Sequence, residues 1–267
     1  MSNIYVLVYL STTVCAWAFS PALCAQKQSD LPTGTISYRY YIDTAALAAK
    51  DKIIEREQPE HHAVMGSQTS LIDAAMLDLR FLLQFDVEHS LFSLEESATP
   101  DAPMQRMAYR AATIVALEGK KAFWFDYTAK SRSFFMDWMG SIIEVTQSFE
   151  PQQWRLTGER KFSGGRTLME AIAEVDLPVY KSEGAVTVRA YYDPEIPLPF
   201  GPAEFHGLPG LILELYIETE ISRGFVAADI EVLAHGRNQP IRRPKSVSTM
   251  TESEFNATVE SSRGNHD

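Results

Sequence analysis

The feature that most limits what this chain can fold into is a period of two in its apolar residues, repeated in segment after segment. Ile36, Tyr38 and Tyr40 alternate with Ser37, Arg39 and Tyr41. Val186, Val188 and Ala190 alternate with Thr187, Arg189 and Tyr191. Leu211, Leu213, Leu215 and Ile217 share one side, with Glu214 and Glu218 on the other; Val226, Ala228, Ile230 and Val232 are set against Asp229 and Glu231. Successive side chains of a strand point to opposite faces, so this pattern predicts an antiparallel sheet with one apolar face and one wet face. Further strands are expected at 142–149, 154–162 and 167–175, with Ser163-Gly164-Gly165 turning between the last two. Leu79, Phe81, Leu83, Phe85 and Val87 carry the same period within 76–94, which predicts one long strand.

Helical spacing is rarer. Residues 44–58 are rich in Ala, Lys and Glu, with Leu47, Ile53 and Ile54 near helical spacing and Pro59 as a stop. Residues 104–117 fit a helix at their start and an extended chain at their end. After a basic link (Arg242, Arg243, Lys245), Thr251-Glu252-Ser253-Glu254 has the form of a capping box opening a short helix. No internal repeat or low-complexity linker divides the chain. The expected fold is therefore mainly β (α+β): a single curved antiparallel sheet or half-barrel with a few short helices, analogous to lipoprotein-carrier folds. One β-rich domain is expected over 26–250, followed by a short helix and tail over 251–267.

Residues 1–25 carry no charged side chain. An apolar run from Ile4 is broken by Ser20, Pro21 and Ala22 ahead of Ala25, and polar Gln26-Lys27-Gln28-Ser29-Asp30 follows. That order predicts a secretory signal peptide cleaved after Ala25, with an uncleaved membrane anchor as the alternative. The expected location is the periplasm, without stable membrane insertion once the signal is removed. Cys15 and Cys24 both lie inside the signal, so the mature chain is expected to have no disulfide and no thiolate site. The formal charge of -11 argues against nucleic acid as a partner, because phosphate binding needs clustered Lys and Arg.

Two segments stand out against this background. Residues 122–128 and 133–138 form an aromatic hairpin whose side chains (Phe123, Trp124, Phe125, Phe134, Phe135, Trp138) point to both faces, so both need cover or one lines a cavity. Residues 193–210 hold five prolines and three glycines in 18 residues. Prolines stiffen such a connector, and loops of this length are often lids or binding loops. Leu208-Pro209-Gly210-Leu211 suits a type II turn, with Gly210 at the position of positive φ.

Within this loop, Tyr192-Asp193-Pro194-Glu195-Ile196-Pro197, then Phe200-Gly201-Pro202, Phe205, and Gly207-Leu208-Pro209-Gly210-Leu211-Ile212-Leu213-Glu214 closely resemble the signature of the GLPGLI family. That family is known mainly from Bacteroidetes envelope proteins, and it has no settled biochemical activity. The match covers about residues 190–235. The Cys often found where the family's central strand begins is absent from Thr167-Leu168-Met169 here, so no thiol role carries over. The resemblance implies an envelope protein whose signature loop (Pro194, Glu195, Pro197, Gly201, Pro202, Phe205, His206, Gly207, Leu208, Pro209, Gly210) is the place to look for binding.

Other chemistry is thinly signalled. His61-His62 near Glu57 and Glu60, and the thioether pairs Met104/Met107 and Met136/Met139, offer weak metal ligands of the Cu or Zn kind. The more ordinary readings are a solvated loop for the histidines and core filling for the methionines. His206 lies near Glu195 and Glu204, but no nucleophile, zinc or phosphate-loop motif accompanies it. The leading expectation is a non-enzymatic periplasmic binding or accessory protein with no cofactor. Its partner would be an apolar small molecule, such as a lipid or hydrophobic peptide, or an envelope protein. A metal-binding accessory of an outer-membrane transport system and a hydrolase using His206 are the alternatives, and a purely structural role for the Pro209–Gly210 turn stays open.

Overall fold

The computed structural model describes residues 33–96, 100–177, 185–233 and 241–264, without the side chains of 263 and 264. The segment expected to be a signal peptide, and both cysteines with it, lie outside those residues.

The described residues build one open sheet of twelve strands. They are β1 (Thr33–Ile42), β2 (Arg80–Phe85), β3 (His89–Leu94), β4 (Lys120–Asp126), β5 (Ser131–Trp138), β6 (Ser141–Gln147), β7 (Arg155–Ser163), β8 (Arg166–Val175), β9 (Val186–Asp193), β10 (Leu211–Glu218), β11 (Arg223–Leu233) and β12 (Ser248–Thr251). Their order is β12-β6-β5-β4-β3-β2-β1-β11-β10-β9-β8-β7. β1 thus lies inside the sheet, with β2 to β6 following outward on one side and β11 back to β7 on the other. The ladders are antiparallel except for β12 on β6, which is parallel. The expectation of a mainly β fold holds. The sheet is broader than the expected half-barrel, and it is not closed.

Among the described residues four helices accompany it: α1 (Thr44–Glu57), α2 (Pro59–Asp78), α3 (Pro103–Ala116) and α4 (Glu252–Gly264). Asp43 starts α1, its Oδ1 accepting the main-chain N–H groups of Ala45 and Ala46 at 3.0 Å each. Pro59, expected only to stop that helix, also opens the next one from its first turn, where a missing N–H costs nothing. α2 packs against α1, α3 and β1. At α4 the capping box is present: the Thr251 N–H donates to Glu254 Oε2 at 2.7 Å, and the Glu254 N–H donates to Thr251 Oγ1 at 3.3 Å. Among the described residues no helix is long and apolar enough to cross a membrane.

The expected long strand over 76–94 is instead the end of α2, then β2, a tight turn and β3. Asp86 makes the turn, its Oδ1 accepting the N–H groups of Glu88 at 2.8 Å and His89 at 2.7 Å. The alternation itself is real: Phe81, Leu83 and Phe85 are buried on the inner face of the sheet. There Phe81 and Phe92 stack at 5.5 Å, and Phe225 meets their edges at 5.2 and 5.3 Å.

The aromatic hairpin forms as β4 and β5, and both of its faces are covered. Phe123, Phe125 and Phe134 join the main core. Trp124 and Phe135 form a second, smaller cluster on the outer face with Leu91 and Ala122, packed against Ile241. The basic link crosses that cluster: the Arg243 guanidinium lies 5.8 Å from the Trp124 ring and pairs with Glu144. Trp138 packs edge-on against Phe255 of α4 at 5.4 Å.

Candidate functional site

The signature segment between β9 and β10 is interior structure. Asp193 ends β9 with its carboxylate buried; Arg166 donates to Oδ2 at 2.6 Å, and the Glu195 N–H donates to Oδ1 at 2.9 Å. The chain then alternates. Pro194, Glu195, Pro197, Gly207 and Pro209 are exposed, whereas Ile196, Leu198, Phe200, Gly201, Pro202, Phe205, His206, Leu208 and Gly210 are buried. Main-chain bonds hold this path: Leu211 N–H to Ile196 O at 3.0 Å, Ile212 N–H to Phe200 O at 2.9 Å, and Gly207 N–H to Pro199 O at 2.8 Å. From β1, the Tyr38 hydroxyl donates to the Ile212 carbonyl at 2.5 Å.

The expected type II turn is not there. Gly207, not Gly210, has the left-handed conformation, with φ 94. Gly210 is required by space: a Cβ there would lie 2.3 Å from the Asp193 carbonyl oxygen. Nor is the segment a lid over an empty cavity. Its own apolar side chains fill the inner face, and the space left among Tyr40, Phe123, Phe205 and Phe225 is about 20 Å³. That volume suits about one water, far below the roughly 300 Å³ at which small-ligand sites begin. The aromatic hairpin therefore lines packed interior on one face and a satellite cluster on the other.

His206 sits in this packing. Its ring lies 4.8 Å from Phe125, 5.2 Å from Phe149 and 6.2 Å from Tyr127, centre to centre. The Tyr127 hydroxyl is 3.2 Å from Nδ1, and Trp154 Nε1 donates to the His206 carbonyl at 2.8 Å. Burial, aided by the Arg132 charge and opposed by the Glu150 carbonyl, pushes the His206 pKa down to about 3. The ring is therefore neutral near pH 7. Among the described residues no carboxylate is hydrogen-bonded to it.

On the opposite face of the sheet, β7 to β10 carry a polar network that alternation alone placed in water. Glu214 is 3% exposed; Lys161 Nζ lies 2.5 Å from its Oε2, Tyr216 donates to the same oxygen at 2.7 Å, and Ser163 donates to Oε1 at 2.8 Å. Lys161 also lies over the rings of Tyr191 and Tyr216, at 4.8 and 5.6 Å. Next to it, Glu170 accepts from Tyr191 at 2.8 Å and pairs with Arg189 at 2.8 Å, while Arg189 also holds Glu218 at 2.6 Å. Burial works to raise both glutamates, but the donors around them outweigh it and hold both below the ordinary carboxylate range. Two carboxylates shifted the same way are not an acid–base pair; this is a supporting network. Lys161, Tyr191, Glu214 and Tyr216 stand on the polar side of their strands, which was the available clue.

The open space lies elsewhere, at the end of the central strands where β1 passes into α1. A cleft of about 420 Å³ is bounded by Thr44, Leu47, Ala48, Asp51 and Ile54 of α1, Thr69, Ser70 and Asp73 of α2, and Ile221 and Arg223 at the entry to β11. A second hollow of about 500 Å³ adjoins it and shares Lys50, Ile221 and Arg223. Arg223 Nε is buried there with no hydrogen-bond partner among the described residues. Asp73 is raised above the ordinary carboxylate range by burial; the Arg223 charge opposes that and Asp51 adds to it. Apolar walls, a guanidinium with an unused donor and a perturbed carboxyl form the combination expected of a small-ligand site. The sequence held little signal for it, because Arg223 precedes an apolar strand and α2 was hidden behind Pro59.

The weak metal candidates are scattered. His61 and His62 lie in the first turn of α2 rather than in a loop, and His62 Nε2 approaches Asp51 Oδ1 at 3.1 Å. Met104 and Met107 share an exposed face of α3, Met136 is in β5, and Met139 is 84% exposed in the turn after it. Among the described residues no three His, Cys, Asp or Glu side chains converge to hold a metal ion.

A family model described as a protein of unknown function (Porph_ging) matches residues 152–214, from just before β7 to the middle of β10. The match contains the whole signature segment. No curated protein matches the chain. Among solved structures, PNGF-II in its P21 and C2 crystal forms is similar, each with a TM-score of 0.51 at 12% identity. The alignments cover 86% and 87% of this chain but 34% and 33% of PNGF-II, so the chain spans about a third of that protein's length. At such identity the likeness is one of fold alone. LprF from Mycobacterium bovis aligns over 83% of this chain and 93% of its own at 10% identity, with a TM-score of 0.24, too low to carry an argument.

Proposed function

We propose that this chain is a non-enzymatic binding protein of the cell envelope, and that its ligand is amphipathic: an apolar body ending in a carboxylate, of the fatty-acid kind. The observation that carries the reading is the α1–α2 cleft, where Arg223 offers a buried, unused N–H donor between the apolar walls of Leu47, Ile54 and Ile221. A carboxylate there would supply the missing acceptor, and charge-assisted bonds of this kind are among the stronger ones. The acyl body would lie on the apolar side chains, and the volume falls within the usual range for small-ligand sites. The signal-like N-terminus and the resemblance of the loop to envelope proteins support the location. This reading moves the ligand from the aromatic hairpin, whose two faces are filled, to the helical side of the fold.

Isothermal titration with dodecanoate tests it. Wild type should bind, Arg223→Met should weaken binding about 10- to 100-fold through loss of the charge-assisted bond, and Ala48→Phe, at an exposed wall position, should block the cleft. Undetectable binding by wild type, or equal binding by all three proteins, would end the proposal.

A further inference from the structure

A different surface carries a second conclusion. α3 buries Ala108 and Ala112 and turns a line of larger apolar side chains outward: Met104 is 51% exposed, Met107 54%, Ile114 60% and Val115 37%. These positions recur at helical spacing, so they form one stripe beside the buried face. Leu71 and Val64 of α2 extend the exposed apolar surface, and hollows of about 400 and 190 Å³, which share Leu71 and Ala108, lie between the two helices. The polar side of α3 carries Arg106 and Arg110 and no acidic residue, in a chain whose formal charge is -11. Neither arginine makes an ion pair among the described residues. Arg110 is three residues after Met107 and four before Ile114, which puts its guanidinium at the border of the stripe.

From this juxtaposition we infer that α3 is an interfacial helix that docks the protein on an anionic lipid surface. A helix lying in the plane of such a surface buries an apolar stripe at the headgroup boundary and keeps its cations level with the phosphates. Flexible thioethers suit a fluid, irregular partner, and arginine stems can lie along the apolar boundary with their charged ends in the headgroups. The local positive charge selects an anionic surface, although the molecule as a whole is acidic. The attraction acts only at contact distances, because opposing charges farther away are screened within about a Debye length, roughly 10 Å at moderate salt. The inference extends the binding reading by naming where an amphipathic ligand would be met, but it uses side chains that do not line the α1–α2 cleft.

The test is co-sedimentation of the full chain with vesicles of phosphatidylglycerol in phosphatidylcholine, and with vesicles of phosphatidylcholine alone. Wild type should bind the anionic vesicles, less so at high salt, and should bind the neutral ones far more weakly. Ile114→Glu with Met107→Glu, and separately Arg106→Gln with Arg110→Gln, should each cost about tenfold or more in vesicle affinity. Met107, Arg110 and Ile114 are exposed and Arg106 is partly exposed, its guanidinium donating to the Asp101 carbonyl at 3.1 Å; unchanged circular dichroism would show that the variants fold. Dodecanoate titration of the same variants should match wild type, which separates failure of docking from failure of the cleft. The inference is overturned if wild type ignores anionic vesicles, if the arginine variant binds them as well as wild type, or if sedimentation equilibrium shows a dimer that Ile114→Glu dissolves.

Discussion

Burial and the nearby Arg132 charge push His206 down to a pKa of about 3, and that has a measurable consequence. An unfolded histidine titrates near 6.5. As the pH falls below that value the unfolded chain takes up a proton at this position, while the folded chain takes up none until about pH 3. The contribution of the neutral ring to stability is therefore complete above about pH 6.5 and is lost progressively as the pH falls toward 3, at no more than about 1.4 kcal/mol per pH unit. Glu170 and Glu214 act with the same sign but lower down. Their folded pKa values lie below the ordinary 4.5, so their contribution is lost only as the pH falls below that value. The interval from about pH 6.5 to 5 thus isolates the histidine from them. Urea unfolding of wild type and His206→Gln at points across that interval should show wild type losing stability more steeply, by close to 1 kcal/mol per pH unit. Parallel slopes for the two proteins would mean that the folded ring takes up its proton as readily as the unfolded one.

Elements differ in how openly the sequence announces them. Period-two patterns marked β1 and β9 well, because one face of each meets the core. At β10 both faces are buried, Ile212 and Glu214 included, and in β11 a bulge opposite Ser37 and Tyr38 shifts the phase, so that Phe225 and Ala227 pack on the core while Ala228 is exposed. The same pattern misled at β2 and β3: Val87 continues the alternation through the turn, and neither Gly nor Pro interrupts it. The reversal depends on the Asp86 carboxylate, which takes the place of a main-chain acceptor for two N–H groups. Asp86→Ala should therefore cost about 1–2 kcal/mol in urea unfolding, the range for bonds to a charged, partly exposed group. A loss below about 0.5 kcal/mol, typical of unremarkable surface positions, would show that the strands set the turn by themselves. α2 was hidden for a related reason: Pro59 stops one helix and opens another, and a single sequence does not say which role dominates. In the signature segment the prolines and glycines marked a stiff, irregular path correctly. They could not show that Ile196, Leu198, Phe200 and Leu208 turn inward, because that depends on the face of the sheet that the segment crosses. The α1–α2 cleft was less legible still, since Ala48, Asp73 and Arg223 are far apart in the chain and meet only after β1 has paired with β11.

Across the whole molecule, the sheet fills its inner side with its own chain. Strands on both sides of β1 contribute Phe81, Phe92, Phe123 and Phe225, and the signature segment adds Phe200, Phe205 and Leu208 from above. A lipid-holding half-barrel would need open space at this place; the remaining space is about 20 Å³. Phe200 decides between a self-filled interior and a ligand chamber, because it is 1% exposed and packs edge-on against Tyr127 at 5.0 Å. Truncation to alanine removes a ring that its neighbours cannot fully replace, and such changes cost about 3–5 kcal/mol. An apolar cavity of that kind stays dry and takes up benzene-sized molecules. Phe200→Ala should thus melt well below wild type and should regain part of the difference in saturating benzene. Wild type should gain much less, since benzene can reach only its open surface clefts. If wild type were stabilised by benzene as strongly as the variant, the inner face would already hold room for a ligand, and the signature segment would be a cover over that room rather than part of the core.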